Sequence, residues 1–389
     1  MKMVRTDSDS AEAIAGNEDL LTEILSRIPV KQLIKFKSVS KSWLSLISTS
    51  TFSRIHTLKN PSSSISGLFL RRTPTEFQFL SIHANSSLKP LFYPLNFASD
   101  PAGIKYLQSC NGLVLCSSFR KLGYKTQYYV YNPTTNCFFT LPPFTDESKT
   151  AVFGVNLAFE PSKSPYYKVV CVRSSTEKSI YYYQTDIYDS RIGAWRLSGS
   201  TFIAPFDMVF DNGVFWNGSI VWISPHGASI YFDLTNERLN KMSDLPVLDN
   251  WSKRRFRYFG ESCGHLHLME IYGARATRFK VFQLEKDYCN WTVKYEIDLE
   301  GVVGIYSEMV RSYLDVDDSN YYAFVPLLVV GDKYGVDASL LLHIPGKIIS
   351  YNMRDKSFIE LVAFNDDKKS KGFGWLDAYP YIQSLAPVC

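Results

Sequence analysis

No apolar run in this sequence is long enough to cross a bilayer. The longest, Tyr321 to Val330, contains Pro326 and falls well short of the roughly 18 residues a membrane helix needs. The opening residues, MKMVRTDSDSAEAIAG, lack the apolar core of a secretory signal. Charge of one sign is not in excess: 42 basic residues face 38 acidic ones, which gives no reason to expect nucleic acid or a membrane as partner. The seven cysteines (Cys110, Cys116, Cys137, Cys171, Cys263, Cys289, Cys389) are odd in number and show no C-x-x-C spacing, so they read as reduced thiols filling cores. There is no G-x-S-x-G elbow, phosphate loop or dinucleotide fingerprint. Among only six histidines, His265 and His267 share one face of a strand, but no third ligand stands at metal spacing, and they read as a hydrogen-bonded structural pair. Asp315, Asp317 and Asp318 lack the glycine and terminal glutamate of a calcium loop. These absences predict a soluble protein of the cytoplasm or nucleus, without cofactor, metal or catalytic residues of its own.

What is present begins with helical periodicity. Residues 1–16 are polar and read as disordered. From Asn17, a plausible N-cap, Leu20, Leu21, Ile24, Leu25 and Ile28 form one stripe. Pro29 breaks it; Val30, Leu33 and Ile34 follow, then Val39, Trp43, Leu46 and Ile47, with Ser38 or Ser40 placed to cap. The pattern predicts three short helices over residues 17–56. So few residues cannot bury such stripes against one another, so the rest of the chain or a second protein must cover them.

The run DLLTEILSRIPVKQLIKFKSVSKSWLSLI resembles the F-box of plant F-box proteins: an acidic residue, paired leucines, an E-I-L core, an Ile-Pro-Val break, then V-x-K-x-W and a Leu-Ile end. One departure is that Gly16-Asn17 stands where the family usually has Leu-Pro, which implies weaker adaptor binding if that segment makes contact. The resemblance implies binding to a Skp-type adaptor, and through it to a cullin and a RING subunit of a ubiquitin ligase. The face implied to bind comprises Leu20, Leu21, Ile24, Leu25, Pro29, Val30, Leu33, Val39 and Trp43.

Residues 57–65 read as a short polar linker. From Ser66 to the end the period changes from 3.6 to 2, aromatic and β-branched residues dominate, and short strands alternate with Asn, Gly, Pro and Asp turns. This predicts an all-β domain over 66–389. An internal repeat runs through it: an aromatic residue, then Asn or Asp, then a turn, then another apolar residue. Copies begin at Tyr131-Asn132, Tyr188-Asp189, Phe232-Asp233 and Tyr351-Asn352, with a looser one at Phe282-Gln283. Their spacing of about 44 to 69 residues predicts a β-propeller of about six kelch-like blades, with an irregular pair of β-sandwiches as the alternative.

SCNGLVLC at 109–116, YNPTTNCFFTLP at 131–142 and the ending YPYIQSLAP resemble the F-box-associated domain of the same plant proteins. Asn111-Gly112 and Asn132-Pro133-Thr134 read as turns within it. The apolar stretch 373–385 reads as a strand or plug closing the ring against an early strand. A candidate target-binding patch gathers Trp251, Arg254, Arg255, Arg257, Tyr272, Arg275 and Arg278 on two loops, a chemistry suited to acidic or phosphorylated proteins. The resulting expectation is a substrate-recognition subunit of a Skp-cullin-F-box ligase, holding an unknown protein target. Its rivals are a glycan-binding or carbohydrate-active propeller with a vestigial F-box, and a Skp-bound scaffold that degrades nothing.

Overall fold

Asn17 starts the first helix: its side chain accepts from the N–H groups of Asp19 and Leu20, both at 3.1 Å, and Glu18 and Asp19 occupy the first turn. The computed structural model describes residues 16–60, 65–74, 76–82, 92–94, 97–122, 125–144, 150–175, 182–226, 228–245, 254–331, 338–364 and 374–388. The N-terminal stretch read as disordered lies outside them except for Gly16. Helix α1 (Glu18–Leu25) ends ahead of Pro29, and α2 (Val30–Phe36) starts directly after it. Ser40 caps α3 (Lys41–Ile47), and Thr49 caps α4 (Ser50–Lys59).

The fourth helix adds to the three expected and corrects the linker boundary. Thr57, Leu58 and Lys59 continue α4, because nothing after Thr49 breaks the helix and Phe52 and His56, one turn apart, both turn inward. Of the segment read as linker, residues 61–64 lie outside the described residues, and Ile65 is buried.

The remainder is a ring of six four-stranded antiparallel sheets, which excludes the sandwich alternative. The first blade holds β1 (Gly67–Arg71), β2 (Glu76–Ser81) and β3 (Phe92–Pro94). The second is β4 (Ile104–Cys110), β5 (Leu113–Ser118), β6 (Tyr128–Asn132) and β7 (Cys137–Thr140). The third is β8 (Val152–Ala158), β9 (Lys168–Ser174), β10 (Tyr183–Asp189) and β11 (Ala194–Phe202). The fourth is β12 (Val214–Trp216), β13 (Ser219–Ile223), β14 (Ser229–Asp233) and β15 (Arg238–Lys241). The fifth is β16 (Arg254–Ser262), β17 (His265–Tyr272), β18 (Arg278–Leu284) and β19 (Trp291–Asp298), followed by helix α5 (Glu300–Ile305). The sixth is β20 (Val325–Gly331), β21 (Ala338–Ile344), β22 (Lys347–Asn352) and β23 (Phe358–Ala363).

A last strand, β24 (Ala378–Tyr381), returns to the first blade and pairs antiparallel with β1, Phe69 opposite Tyr379. It is the innermost strand there, and β24, β4, β8, β12, β16 and β20 each touch the next around the channel. The C-terminal segment thus closes the ring as expected and leaves no open edge at the seam. Hydrophobic cores lie between neighbouring blades; one joins Tyr258, Met269 and Val281 of the fifth to Val329, Leu340 and Ile349 of the sixth.

The repeat is the turn between the third and fourth strands of a blade. Asn132, Asp189, Asp233 and Asn352 each accept from the N–H two residues on, at 2.7 to 2.9 Å. Two residues later still, Asn136, Gly193, Glu237 and Lys356 all have positive φ, the conformation that tightens the hairpin. In the looser copy Gln283 does not do this. Asp287 takes over, accepting from Cys289, with Tyr288 at φ 62°.

The two-residue alternation does not mark four of the inner strands, β4, β8, β12 and β16, and the apolar run from Tyr321 enters a strand, β20, only at Val325. Register shifts explain much of this. The ladder slips between Tyr106 and Gln108, Val152 and Gly154, Arg254 and Phe256, and Pro326 and Leu328. Each bulge interrupts the two-residue alternation on which a strand is recognised.

Candidate functional site

The apolar stripe of the helical module divides in two. Successive residues of a helix sit about 100° apart around its axis. On α1, Leu21 and Leu25 therefore turn inward while Leu20 and Ile24 turn out. Leu21, Leu25, Val30 and Leu33 are buried with Leu46, Ile47 and Phe52 in the module's core, which Leu385 completes, so these four of the expected contact residues are corrected to internal ones. Leu20 and Ile24 are each 48% exposed and Val39 59%; Pro29 is exposed too. Trp43 is half-buried, edge-on to Phe36 with ring centroids 5.6 Å apart. Leu44 and Leu58 are also exposed, and the pattern reading had not singled them out.

Polar contacts brace this face from behind. Lys59 and Arg27 both reach the Glu23 carboxylate and hold its pKa down at about 2, Lys59 contributing most. Asn60 donates to Ser26 O at 2.9 Å, and the His56 ring bonds Ile28 O at 2.9 Å. Burial lowers the pKa of His56.

The module docks through the C-terminal tail. Leu385 leaves the propeller and enters the helical core beside Leu21 and Phe52, while Ala386 and Val388 return to the core between the second and third blades. The residues read only as turns hold this tail. Asn132, fully buried, donates to Ser384 O at 3.1 Å and Ala386 O at 2.8 Å; Ser109 donates to Pro380 O at 2.5 Å, and Tyr167 to Val388 O at 3.0 Å. Gly112, at φ 90°, passes so close that a Cβ there would stand 2.5 Å from Ser384 Cβ.

Strand order is the same in every blade. The turns after the innermost strands therefore all open on one end of the ring and the connections between blades on the other. The module covers the turn end. A chamber of about 1050 Å³ lies beneath it, lined by Pro29, His56 and Asn60 on one side and Asn111, Asn217 and Gly264 on the other.

The arginine patch differs from its expectation. Trp251 lies outside the described residues. Arg254, Arg255 and Arg257 lie on β16 rather than a loop, and most of the charge is neutralised internally. Arg254 and Arg257 share the buried Glu270, at 3.3 and 2.5 Å, and Tyr272 donates to the same carboxylate. Arg257 also donates to Ser224 O at 2.5 Å. Arg278 pairs with Asp298 and Glu300, and Arg275 stands 4.0 Å from Asp317. Arg255 is the exception: among the described residues its partners are carbonyls and an aromatic ring.

His265 and His267 touch ring edge to ring face at 6.3 Å, and His267 Nδ1 is buried without a hydrogen-bond partner, which corrects the hydrogen-bonded pair. Asp315 and Asp318 cap turns, accepting from Asp317 and Asn320. Among the described residues no group of three or more His, Cys, Asp or Glu is gathered to hold a metal, and no helix is long and apolar enough to cross a membrane.

A helical module with an outward apolar face, fixed on a closed propeller, defines a two-part binding protein. The chain belongs to the F-box proteins that carry an F-box-associated β-propeller: the F-box domain family matches residues 17–54, and the F-box associated beta propeller domain family matches residues 74–388. It is 32% identical to F-box protein At5g07610 of Arabidopsis thaliana over 98% of this chain and 94% of that protein. F-box protein At5g49610 of the same plant is 27% identical over 76% of this chain and 83% of its own length. A TolB structure from Acinetobacter baumannii superposes over 76% of this chain and 66% of its own, with 11% identity and a TM-score of 0.37, a likeness too loose to bear on function.

Proposed function

We propose that this chain is the target-recognition subunit of a ubiquitin ligase assembled on a Skp-type adaptor, a cullin and a RING subunit. The observation that carries the reading is the outward half of the F-box stripe. The module's core is completed by Leu385 and a propeller lies beneath it, yet Leu20, Ile24 and Val39 remain uncovered. Apolar side chains clustered on a short module and left to water are the ordinary mark of a protein interface.

The chemistry asked of this chain is positional. The propeller holds a target, the F-box ties it to the machinery that carries activated ubiquitin, and proximity raises the effective concentration of a target lysine at the transfer site. No residue of the chain takes part in a bond-forming step. The glycan-binding rival rested on aromatic content, and the structure uses those rings elsewhere. Phe97 stacks on Tyr131 at 4.3 Å, Tyr231 on Tyr288 at 4.0 Å, and Phe279 on Phe324 at 6.1 Å.

Capture of a purified Skp-type adaptor by the full chain tests the reading. Leu20→Asp with Ile24→Asp should weaken capture by about thirtyfold or more, the scale of a lost interface anchor of roughly 2 kcal/mol, with the thermal midpoint nearly unchanged. A wild-type chain that captures no adaptor of this class would refute it.

A further inference from the structure

The end of the ring facing away from the F-box carries the connections between blades. One of them, residues 299–324 between β19 and β20, brings two guanidinium groups together. Arg255, near the start of β16, donates to Tyr322 O and, at 3.4 Å, to Phe324 O, and it lies 4.5 Å over the Phe324 ring. Arg311, on the connection itself, donates to Asn320 O at 3.3 Å. The two side chains thus grip alternate carbonyls of one five-residue stretch. Both are half-buried.

Neither meets a carboxylate among the described residues, whereas Arg254, Arg257, Arg275 and Arg278 all do. The acids nearest to Arg311 in sequence are engaged elsewhere: Glu308 stands 3.8 Å from Lys347, Asp315 and Asp318 accept from turn N–H groups, and Asp317 lies near Arg275. Arg255 Nη1 is enclosed without an acceptor. Burial, reinforced by the like charge of Arg311, pulls the Arg255 pKa down to about 10. The enclosed Arg255 acts on an oxyanion through its unneutralised charge, while the donors that can meet the acid are those of the Arg311 guanidinium, whose planar fork matches carboxylate and phosphoryl oxygens. Exposed apolar side chains stand on the same connection: Tyr313, two residues from Arg311, is 80% exposed, and Val316 40%.

We propose that Arg255 and Arg311 form an oxyanion site for an acidic segment of the target protein, with Tyr313 and Val316 receiving the apolar residue beside the acid. The proposal rests on the target-recognition reading above and names the chemistry of the target it would hold.

The test is retention of the purified full chain on immobilised short peptides with leucine flanks and Glu, phosphoserine, Ser or Lys at the centre. The acidic peptides should retain the chain about tenfold better than the Ser peptide, the value of one charge-assisted contact, and added salt should erode the difference. Arg311→Gln, which removes a single 3.3 Å bond within the protein, should bring the ratio to unity with adaptor capture unchanged. Phosphoserine above Glu would mean a target recognised after modification, and equal retention a permanently acidic one. Ser and Lys peptides held as well as acidic ones, or an acid preference that survives Arg311→Gln, would overturn the site. Failure of adaptor capture alongside intact acid preference would count against the ligase reading and leave this site standing.

Discussion

His267 and His343 are the most strongly lowered of four histidines, with His56 and His265, whose burial makes stability depend on pH. Burial, with His265 and Lys294 adding like charge, pulls His267 down to about 3; burial alone takes His343 to about 4. In the unfolded chain both titrate at about 6.5, so below that pH the unfolded state binds protons that the folded state refuses. Their contribution is complete above pH 6.5 and is lost as pH falls toward 4 and 3. Each histidine steepens the decline by up to about 1.4 kcal/mol per pH unit. Glu23 and Glu237, both held at about 2, contribute stability that is lost only as pH falls from about 4.5 toward 2, below the interval from pH 6.5 to 5, whereas burial raises Glu261 and Asp211 and so offsets part of the histidines' loss. Urea midpoints at pH 7 and pH 5 check this: the wild type should lose stability between them, and His267→Gln should lose measurably less. Equal losses would show that His267 does not couple to folding.

At the scale of elements, legibility followed local chemistry. The cap at Asn17, the break at Pro29 and the Asx turns after Tyr131, Tyr188, Phe232 and Tyr351 were all readable, because each is completed within a few residues. What could not be read depends on neighbours distant in sequence. β4, β8 and β16 lost their alternation to bulges, and the charge partner of Arg254 and Arg257 lies on the next strand, at Glu270. Asn132 belongs to both groups: its turn was legible, its grip on the tail was not. That difference can be measured. Asn132→Ala removes the turn and strands the buried carbonyl Ala386 O and the half-buried Ser384 O, whereas Asn352→Ala removes a like turn that holds no tail. By thermal or urea denaturation, Asn132→Ala should cost about 2 kcal/mol more than Asn352→Ala, the penalty of unsatisfied buried acceptors. Equal costs would mean that the tail is held without Asn132.

At the scale of the whole molecule, residues 382–388, which follow β24, decide whether F-box and propeller are one folding unit. The strand closes the ring against β1, Leu385 completes the helical core, and Ala386 and Val388 rejoin the core between the second and third blades. Neither core is whole without the same short segment, so the F-box should not melt ahead of the propeller. Adaptor binding should then raise the melting temperature of the entire chain, since a ligand of the folded state stabilises everything that unfolds with its site. Leu385→Asp breaks the shared element on the F-box side only. An unpaired carboxylate in place of a buried leucine costs about 3 kcal/mol or more, enough to unfold a four-helix module that has little else to rest on. Calorimetry should show one transition for the wild type and two for Leu385→Asp, the earlier being the F-box, with adaptor now shifting only that one. Two transitions in the wild type would mean that the tail does not couple the parts. A single transition in Leu385→Asp would mean that the contacts of Pro29, His56 and Asn60 around the chamber suffice to join them.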